Sequence, residues 1–205
     1  MITRYYGPGL EIGCDEAGRG CLAGPVYAAA VAVPENGFSI PVVDSKQMNL
    51  QERERSRAVI EAEALDQAVA WVNPEGIDRM NILEASFEAM HLALDRLVRT
   101  PDRILVDGNR FRPYRDIPYH CCVKGDGTYL AIAAASILAK TYRDERMRGL
   151  AEDHPAYGWE RNKGYPTPEH RKALQEHGIT PWHRKSFVKG MQWDLTSEME
   201  NGRKS

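Results

Sequence analysis

Short apolar runs and longer amphipathic stretches follow one another along the chain. Leu10–Cys14 reads as a buried strand that runs straight into the polar, glycine-bearing segment Asp15-Glu16-Ala17-Gly18-Arg19-Gly20. Val26–Val33 is a second strand, weakened by its alanines and stopped by Pro34. Two strands this close in sequence predict an antiparallel pair. Leu50–Ala64, rich in Glu, Arg and Ala, predicts a helix, and Ala68–Val72 a third strand. In Asn81–Arg99 the residues Ile82, Leu83, Phe87, Met90, Leu94 and Leu97 recur at helical spacing, with Pro101 beyond the end. Ile104-Leu105-Val106 is a short strand ending at Asp107-Gly108-Asn109, and His120–Val123 a fifth. Thr128–Glu152 then predicts a long helix whose first half is small, apolar and buried. A shorter one lies within Gly164–His177, with Pro168 near its start and Gly178 past its end. The order β-β-α-β-α-β-β-α predicts a mixed sheet covered by helices.

Composition narrows the class without changing this outline. With 205 residues, 42% apolar and 27% charged, the chain is long enough to bury about 70% of its unfolded surface. The longest apolar runs, Leu22–Val33 and Tyr129–Ala139, fall short of the roughly 20 residues that span a bilayer. The first residues lack the apolar stretch of a signal peptide, so the expectation is a cytoplasmic protein without a membrane partner. Cys14, Cys21, Cys121 and Cys122 match no zinc-finger spacing and read as reduced, small hydrophobes. Net charge is −2, but Arg161 to Lys189 holds seven Lys and Arg against two acids. That stretch is either a phosphate-facing surface or a solvated face.

Candidate chemistry gathers at three places. Asp15-Glu16, Asp107 and Asp126 each lie at a strand end or helix start, close to glycine. If the strands carrying Asp15 and Asp107 are neighbours, their carboxylates converge and repel, which a hard divalent cation would relieve. Taken singly, each has a plainer reading: a solvated strand end, an Asp-Gly turn and a carboxylate at a helix N-terminus. Asp144 is set aside, because 18 residues of helix would put it roughly 27 Å from Asp126. Lys140 and Arg148, four residues to either side, offer it a surface pair. A Gly-x-Ser-x-Gly elbow, a dinucleotide fingerprint and a P-loop are all missing from the sequence.

Asp15-Glu16-Ala17-Gly18-Arg19-Gly20 followed by Gly24-Pro25-Val26 resembles the N-terminal signature of ribonuclease HII, the bacterial type 2 RNase H. The resemblance continues through Asp44-Ser45-Lys46, Val106-Asp107-Gly108, Lys124-Gly125-Asp126 and Ser136-x-x-Ala139-Lys140. It extends to Asn162-Lys163-Gly164-Tyr165-Pro166-Thr167, His170 and His183-Arg184-Lys185-Ser186-Phe187, so it covers residues 10–187 in the family's order. Ribonuclease HIII, with an extra N-terminal domain and Gly-Thr-Gly in place of Gly18-Arg19-Gly20, fits less well.

The resemblance implies an RNase H-like α/β fold: a mixed five-stranded sheet flanked by helices, with a C-terminal helical extension. The expected division is a core over residues 1–155, the extension over 156–190 and a peripheral tail over 191–205. It implies an endonuclease that cuts the RNA strand of RNA–DNA hybrids and incises 5′ to single ribonucleotides in duplex DNA, leaving 3′-hydroxyl and 5′-phosphate ends. Carried over position by position, Asp15, Glu16, Asp107 and Asp126 are the catalytic and metal-binding carboxylates. They would hold two Mg²⁺ or Mn²⁺ ions, roughly 3.5–4 Å apart, across the scissile phosphate. Gly18, Arg19, Gly20 and Tyr165 would read the 2′-hydroxyl, and Lys46, Lys163, Arg184 and Lys185 would contact phosphates. A monomer is expected. The rival readings are another RNase H-like nuclease, such as a type 1 RNase H or a junction resolvase, and a non-catalytic nucleic-acid binding module.

Overall fold

The computed structural model of the chain describes residues 2–3, 5–42 and 48–189. In chain order the elements are β1 (Glu11–Ala17), β2 (Val26–Ala32), α1 (Leu50–Glu63), β3 (Asp66–Val72), α2 (Pro74–Met80) and α3 (Ile82–Asp95). There follow β4 (Arg103–Asp107), β5 (Tyr119–Cys122), α4 (Leu130–Asp153), α5 (Trp159–Asn162), α6 (Pro168–His177) and α7 (Lys185–Val188). The five strands form one sheet in the order β3-β2-β1-β4-β5. β1 pairs antiparallel with β2 and parallel with β4; β3 adds antiparallel to β2, and β5 parallel to β4. The mixed sheet expected from the sequence is therefore present.

Side-chain alternation along the central strands sorts the interior into two layers. Ile12 and Cys14 of β1, with Ile104 and Val106 of β4, pack with Phe87, Met90 and Leu94 of α3. On the opposite face Ala29 and Val31 of β2 meet the alanines, Ile137 and Leu138 of α4. Alanines at both faces of β2 let the two helical layers approach closely. At Gly13 the approach is closer still. A Cβ there would lie 2.1 Å from the carbonyl carbon of Ala131, inside the first turn of α4.

Helix starts follow local chemistry. Asn49 and Glu52 cap α1 reciprocally, each side chain accepting from the other's backbone N–H at 3.0 and 2.8 Å. Asn81 accepts from Leu83 and Glu84 N–H and so opens α3 where the sequence predicts it. α2, which begins at Pro74 just before α3, is not anticipated by the sequence pattern. β1 runs through Ala17 because its ladder to β2 continues as far as Ala17 opposite Tyr27. Asp15 and Glu16 therefore lie within the strand, not beyond its end.

The C-terminal segment has its own apolar cluster, in which Trp159, Tyr157, Leu174 and Val188 pack against Met147 and Leu150 of α4. Beside it two buried histidines meet, with His170 Nε2 and His183 Nε2 3.1 Å apart. The Thr180 N–H donates to His183 Nδ1 at 2.9 Å, so His183 carries its proton on Nε2 and directs it at His170 Nε2, which also accepts from the Trp159 indole N–H at 3.1 Å. His170 in turn uses Nδ1–H on the Tyr165 carbonyl at 2.9 Å. Burial holds both imidazoles neutral: His170 is shifted downward, and His183 is pushed down to about 3 by burial and then by His170. A histidine kept neutral in the fold stabilises fully above its unfolded value of 6.5, and that contribution is lost as pH falls toward the folded value. Stability should fall from pH 6.5 downward, by up to about 1.4 kcal/mol per pH unit for His183. The check is urea unfolding from pH 7 to 5, where His183→Gln should flatten the profile. An equal slope in the variant would show that the pair does not govern it.

Among the described residues, no helix is long and apolar enough to cross a membrane, and all four cysteines are free thiols.

Candidate active site

The parallel register of β1 and β4, with Cys14 opposite Val106, carries on to set Asp15 beside Asp107. Period-two alternation turns both side chains to the α4 face, since Cys14 and Val106 belong to the α3 face. Asp126 arrives from a short 3₁₀ turn, Gly125–Gly127, just ahead of α4. That turn is tied to β4 by the Gly125 N–H, which donates to Asp107 Oδ1 at 2.7 Å. One carboxylate oxygen from each of Asp15, Asp107 and Asp126 lies within 4.8 Å of the others.

Burial makes this grouping costly. Asp15 is 6% exposed and Asp126 4%. Burial, followed by the charges of Glu16 and Asp107, holds the Asp15 carboxyl well above the ordinary carboxylate range; hydrogen bonds from Ser136 and the Glu16 N–H oppose the shift. Three acids held this close, two of them buried, suit a hard divalent cation with oxygen ligands.

Glu16 points the other way. As the neighbour of Asp15 on one strand it faces the α3 side and pairs with Arg19 at 3.2 Å. Burial raises its carboxyl, and Arg19 pulls it back. Glu16 and Asp107 border both a cleft of about 500 Å³ on the α4 side and a groove of about 270 Å³ on the α3 side. The three-acid group thus contains Asp15, Asp107 and Asp126, with Glu16 at its rim.

The larger cleft also gathers Gly18, Arg19, Gly20 and Tyr165. Gly18 is buried with φ +97°, and a Cβ on it would lie 1.9 Å from Arg143 Nε. Gly20 is exposed, and a Cβ there would meet open space. Tyr165 is 39% exposed. Arg53 of α1 and Ser136 and Lys140 of α4 line the same cleft. No catalytic role follows for these three from their own patterns, although the i, i+4 spacing of Ser136 and Lys140 puts them on one helix face.

Several expectations need correction. Arg184 is not a phosphate contact: its side chain is fully buried, and its guanidinium donates to the carbonyls of Gly18, Arg19 and Gly24. Asp144 is buried rather than on the surface; it pairs with Lys140 at 2.9 Å, while Arg148 meets Glu54. The basic stretch is largely spoken for, since Arg161 pairs with Glu160 and Glu169 and Lys172 with Glu176. Lys163 is half-buried, with its ammonium on the Glu160 carbonyl, and Lys185 is exposed on α7; neither lines the carboxylates' cleft. Lys46, like the 191–205 tail, lies outside the described residues.

Comparison with known proteins agrees with this geometry. The Ribonuclease HII family profile matches residues 12–195. The chain is 58% identical over 189 residues to a ribonuclease HII of Parabacteroides distasonis, covering 92% of this chain and 95% of that protein. A ribonuclease HII of Porphyromonas gingivalis is 55% identical, with 91% and 94% covered. Among solved structures, the ribonuclease H2 of Pyrococcus horikoshii superposes with a TM-score of 0.74 at 28% identity, covering 86% of this chain and 93% of that one. The RNase HII of Archaeoglobus fulgidus, solved in complex with PCNA, gives 0.68 at 27% identity, with 91% and 96% covered. A family profile that matches most of the chain, and relatives more than half identical across nearly their whole length, leave one assignment: the chain belongs to the ribonuclease HII family, metal-dependent endoribonucleases acting on the RNA of RNA–DNA hybrids.

Proposed function

We propose that this protein incises duplex DNA on the 5′ side of single embedded ribonucleotides as well as cutting continuous hybrids, using the cleft between β1, β4 and α4. One observation carries the reading: Asp15 and Asp107, two of the three clustered carboxylates, line the same cleft as the Gly18-Arg19-Gly20 loop and Tyr165. Asp15, Asp107 and Asp126 would hold the metal, Mg²⁺ or Mn²⁺ in a two-ion arrangement, with Glu16 contributing from the rim. Bound divalent ions supply charge neutralisation at the scissile phosphate and ease deprotonation of water.

The chain's own residues do the rest. Ser136, hydrogen-bonded to Asp15, fixes the orientation of that carboxylate. The Gly125 N–H fixes Asp107 in the same way. Arg19 pairs with the Glu16 carboxylate at the rim and opposes the upward shift that burial imposes on it. The open space at Gly20 admits a sugar close to the backbone. Tyr165, exposed and anchored through its carbonyl by His170, offers a ring face to the sugar that follows the ribonucleotide. Lys163 and Lys185 are proposed phosphate contacts, and so is Lys46, on its motif alone. The working unit proposed is a monomer acting in the cytoplasm.

The test is single-turnover cleavage of matched duplexes with zero, one or many ribonucleotides, with and without divalent metal. Metal-dependent incision 5′ to a lone ribonucleotide is expected. Cutting confined to continuous RNA would overturn the proposal and favour type 1 behaviour. Tyr165→Ala should slow incision at a lone ribonucleotide by about 10- to 100-fold if the ring stacks as aromatics do on nucleotides. Tyr165→Phe should be milder if stacking carries the contact, because the ring is retained. Gly20→Ala should fold normally and still cut poorly.

A further inference from the structure

Two arginines lie fully buried behind the ribose-reading loop, Arg143 from α4 and Arg184 at the start of α7. Among the described residues neither guanidinium bonds a carboxylate; both are satisfied by backbone carbonyls. Arg184 donates from Nη2 to Gly18 O at 2.7 Å, from Nη1 to Arg19 O at 2.9 Å, and from Nε and Nη2 to Gly24 O at 3.0 and 2.9 Å. Its own N–H donates to Leu22 O at 2.8 Å. The loop from Gly18 to Gly24 is thus wrapped around one planar cation. Arg143 braces the far side, donating to Ala23 O, Pro25 O and Lys163 O, and so joins the loop to the segment that carries Tyr165.

The consequence follows from peptide geometry. Every peptide bond among the described residues is trans, so each C=O points opposite to the N–H in the same plane. Pulling the Gly18 carbonyl inward turns the Arg19 N–H outward. Pulling in the Arg19 carbonyl does the same for the Gly20 N–H. Arg19 and Gly20 are exposed and line the cleft, and among the described residues neither N–H has an acceptor. Successive outward N–H groups form a concavity that suits an oxygen acceptor.

We infer that Arg184 is a positioning residue for ribose selection: by gripping the Gly18 and Arg19 carbonyls it aims the Arg19 and Gly20 N–H groups at the sugar's 2′-oxygen. The inference rests on the reading of the Gly18-Arg19-Gly20 loop given under Proposed function. It requires the planar fork of arginine. A lysine would keep the charge and most of the stem but could not hold three carbonyls at fixed angles.

The experiment compares affinities, without divalent metal, for a duplex holding one ribonucleotide and the same duplex in DNA alone. Wild type, Arg184→Lys, Arg184→Ala and Gly20→Ala are measured over a range of salt, each after its fold is confirmed by melting. Arg184→Lys should lower the preference for the ribonucleotide about tenfold, as expected for a displaced backbone donor. Its salt dependence should match wild type. Guanidinium ion at sub-denaturing concentration should restore the preference in Arg184→Ala. If that variant does not fold, Arg184→Lys carries the test. A preference unchanged in Arg184→Lys but reduced in Gly20→Ala overturns the inference and leaves the loop reading standing. A preference unchanged in Gly20→Ala as well overturns the loop reading itself. A salt slope flattened by about one unit would make Arg184 a phosphate contact after all. Folded Arg184→Ala that guanidinium cannot rescue would reduce the residue to packing.

Discussion

Asp107→Asn is expected to reduce cleavage by on the order of a hundredfold or more while leaving duplex affinity intact, because a bound cation's contribution is worth several kcal/mol. The amide keeps the shape of the side chain and can still face the Gly125 N–H, but it loses the charge that draws a cation to Asp15 and Asp126. It also removes one of the charges that raise the Asp15 carboxyl. Without divalent ion the variant should therefore melt no lower than wild type, and added Mn²⁺ should raise its melting temperature much less. Calorimetric titration with Mn²⁺ and single-turnover cleavage make the comparison. Asp144→Asn should lose far less, because its carboxylate serves Lys140 and not the three-acid group. Full activity in Asp107→Asn would remove β4 from the metal site.

Gly13→Ala is expected to cost about 3 kcal/mol or more, at the upper end of overpacking penalties, because the obstacle is helix backbone that cannot rotate away. The added methyl would sit 2.1 Å from the Ala131 carbonyl carbon and 2.4 Å from both Ala131 O and Ile132 N. At a few degrees per kcal/mol for a domain of this size, the melting temperature should drop by roughly 10 °C. Because Asp126 immediately precedes α4 and Ser136 lies on it, a helix lifted off β1 should also weaken metal binding at temperatures where the variant remains folded. Gly149→Ala is the contrast. That position is exposed in the same helix with nothing near its added carbon, so the change should stabilise by up to about 1 kcal/mol.

What the sequence conveys depends on how local each signal is. Apolar runs mark the five strands and the long helices, and Pro101, Pro168 and Gly178 mark helix boundaries, because such signals act within a few residues. The adjacency of Asp15 and Asp107 is only conditional in the sequence, since strand order is a tertiary fact. The split between Asp15 and Glu16 is readable from strand periodicity once β1 is known to extend to Ala17; a strand ended at Cys14 hides it. Arg184 misleads for a different reason. A cation among Lys163, Lys185 and Lys189 looks like part of a phosphate-binding face, and only the return of the chain onto the Gly18–Gly24 loop buries it. Asp144 is similar. Its i, i+4 partners are real candidates, and packing against the rest of the fold decides between Lys140 and Arg148.

The pairing of β1 with β4 also bears on when activity can arise during synthesis. These strands come together across a long stretch of chain: within the same ladder Arg103 reaches back 92 residues to Glu11. Contacts this distant in sequence form slowly, after the entropy of closing a long loop has been met. The third carboxylate, Asp126, lies later still, and α4 must be made before it can cover the sheet. A chain emerging from the ribosome displays Asp15 early, yet holds no carboxylate cluster until most of the protein has followed it out. Hydrolytic capacity should therefore switch on late and in one step, and fragments ending before α4 should lack a cation site, however well their first hairpin is formed.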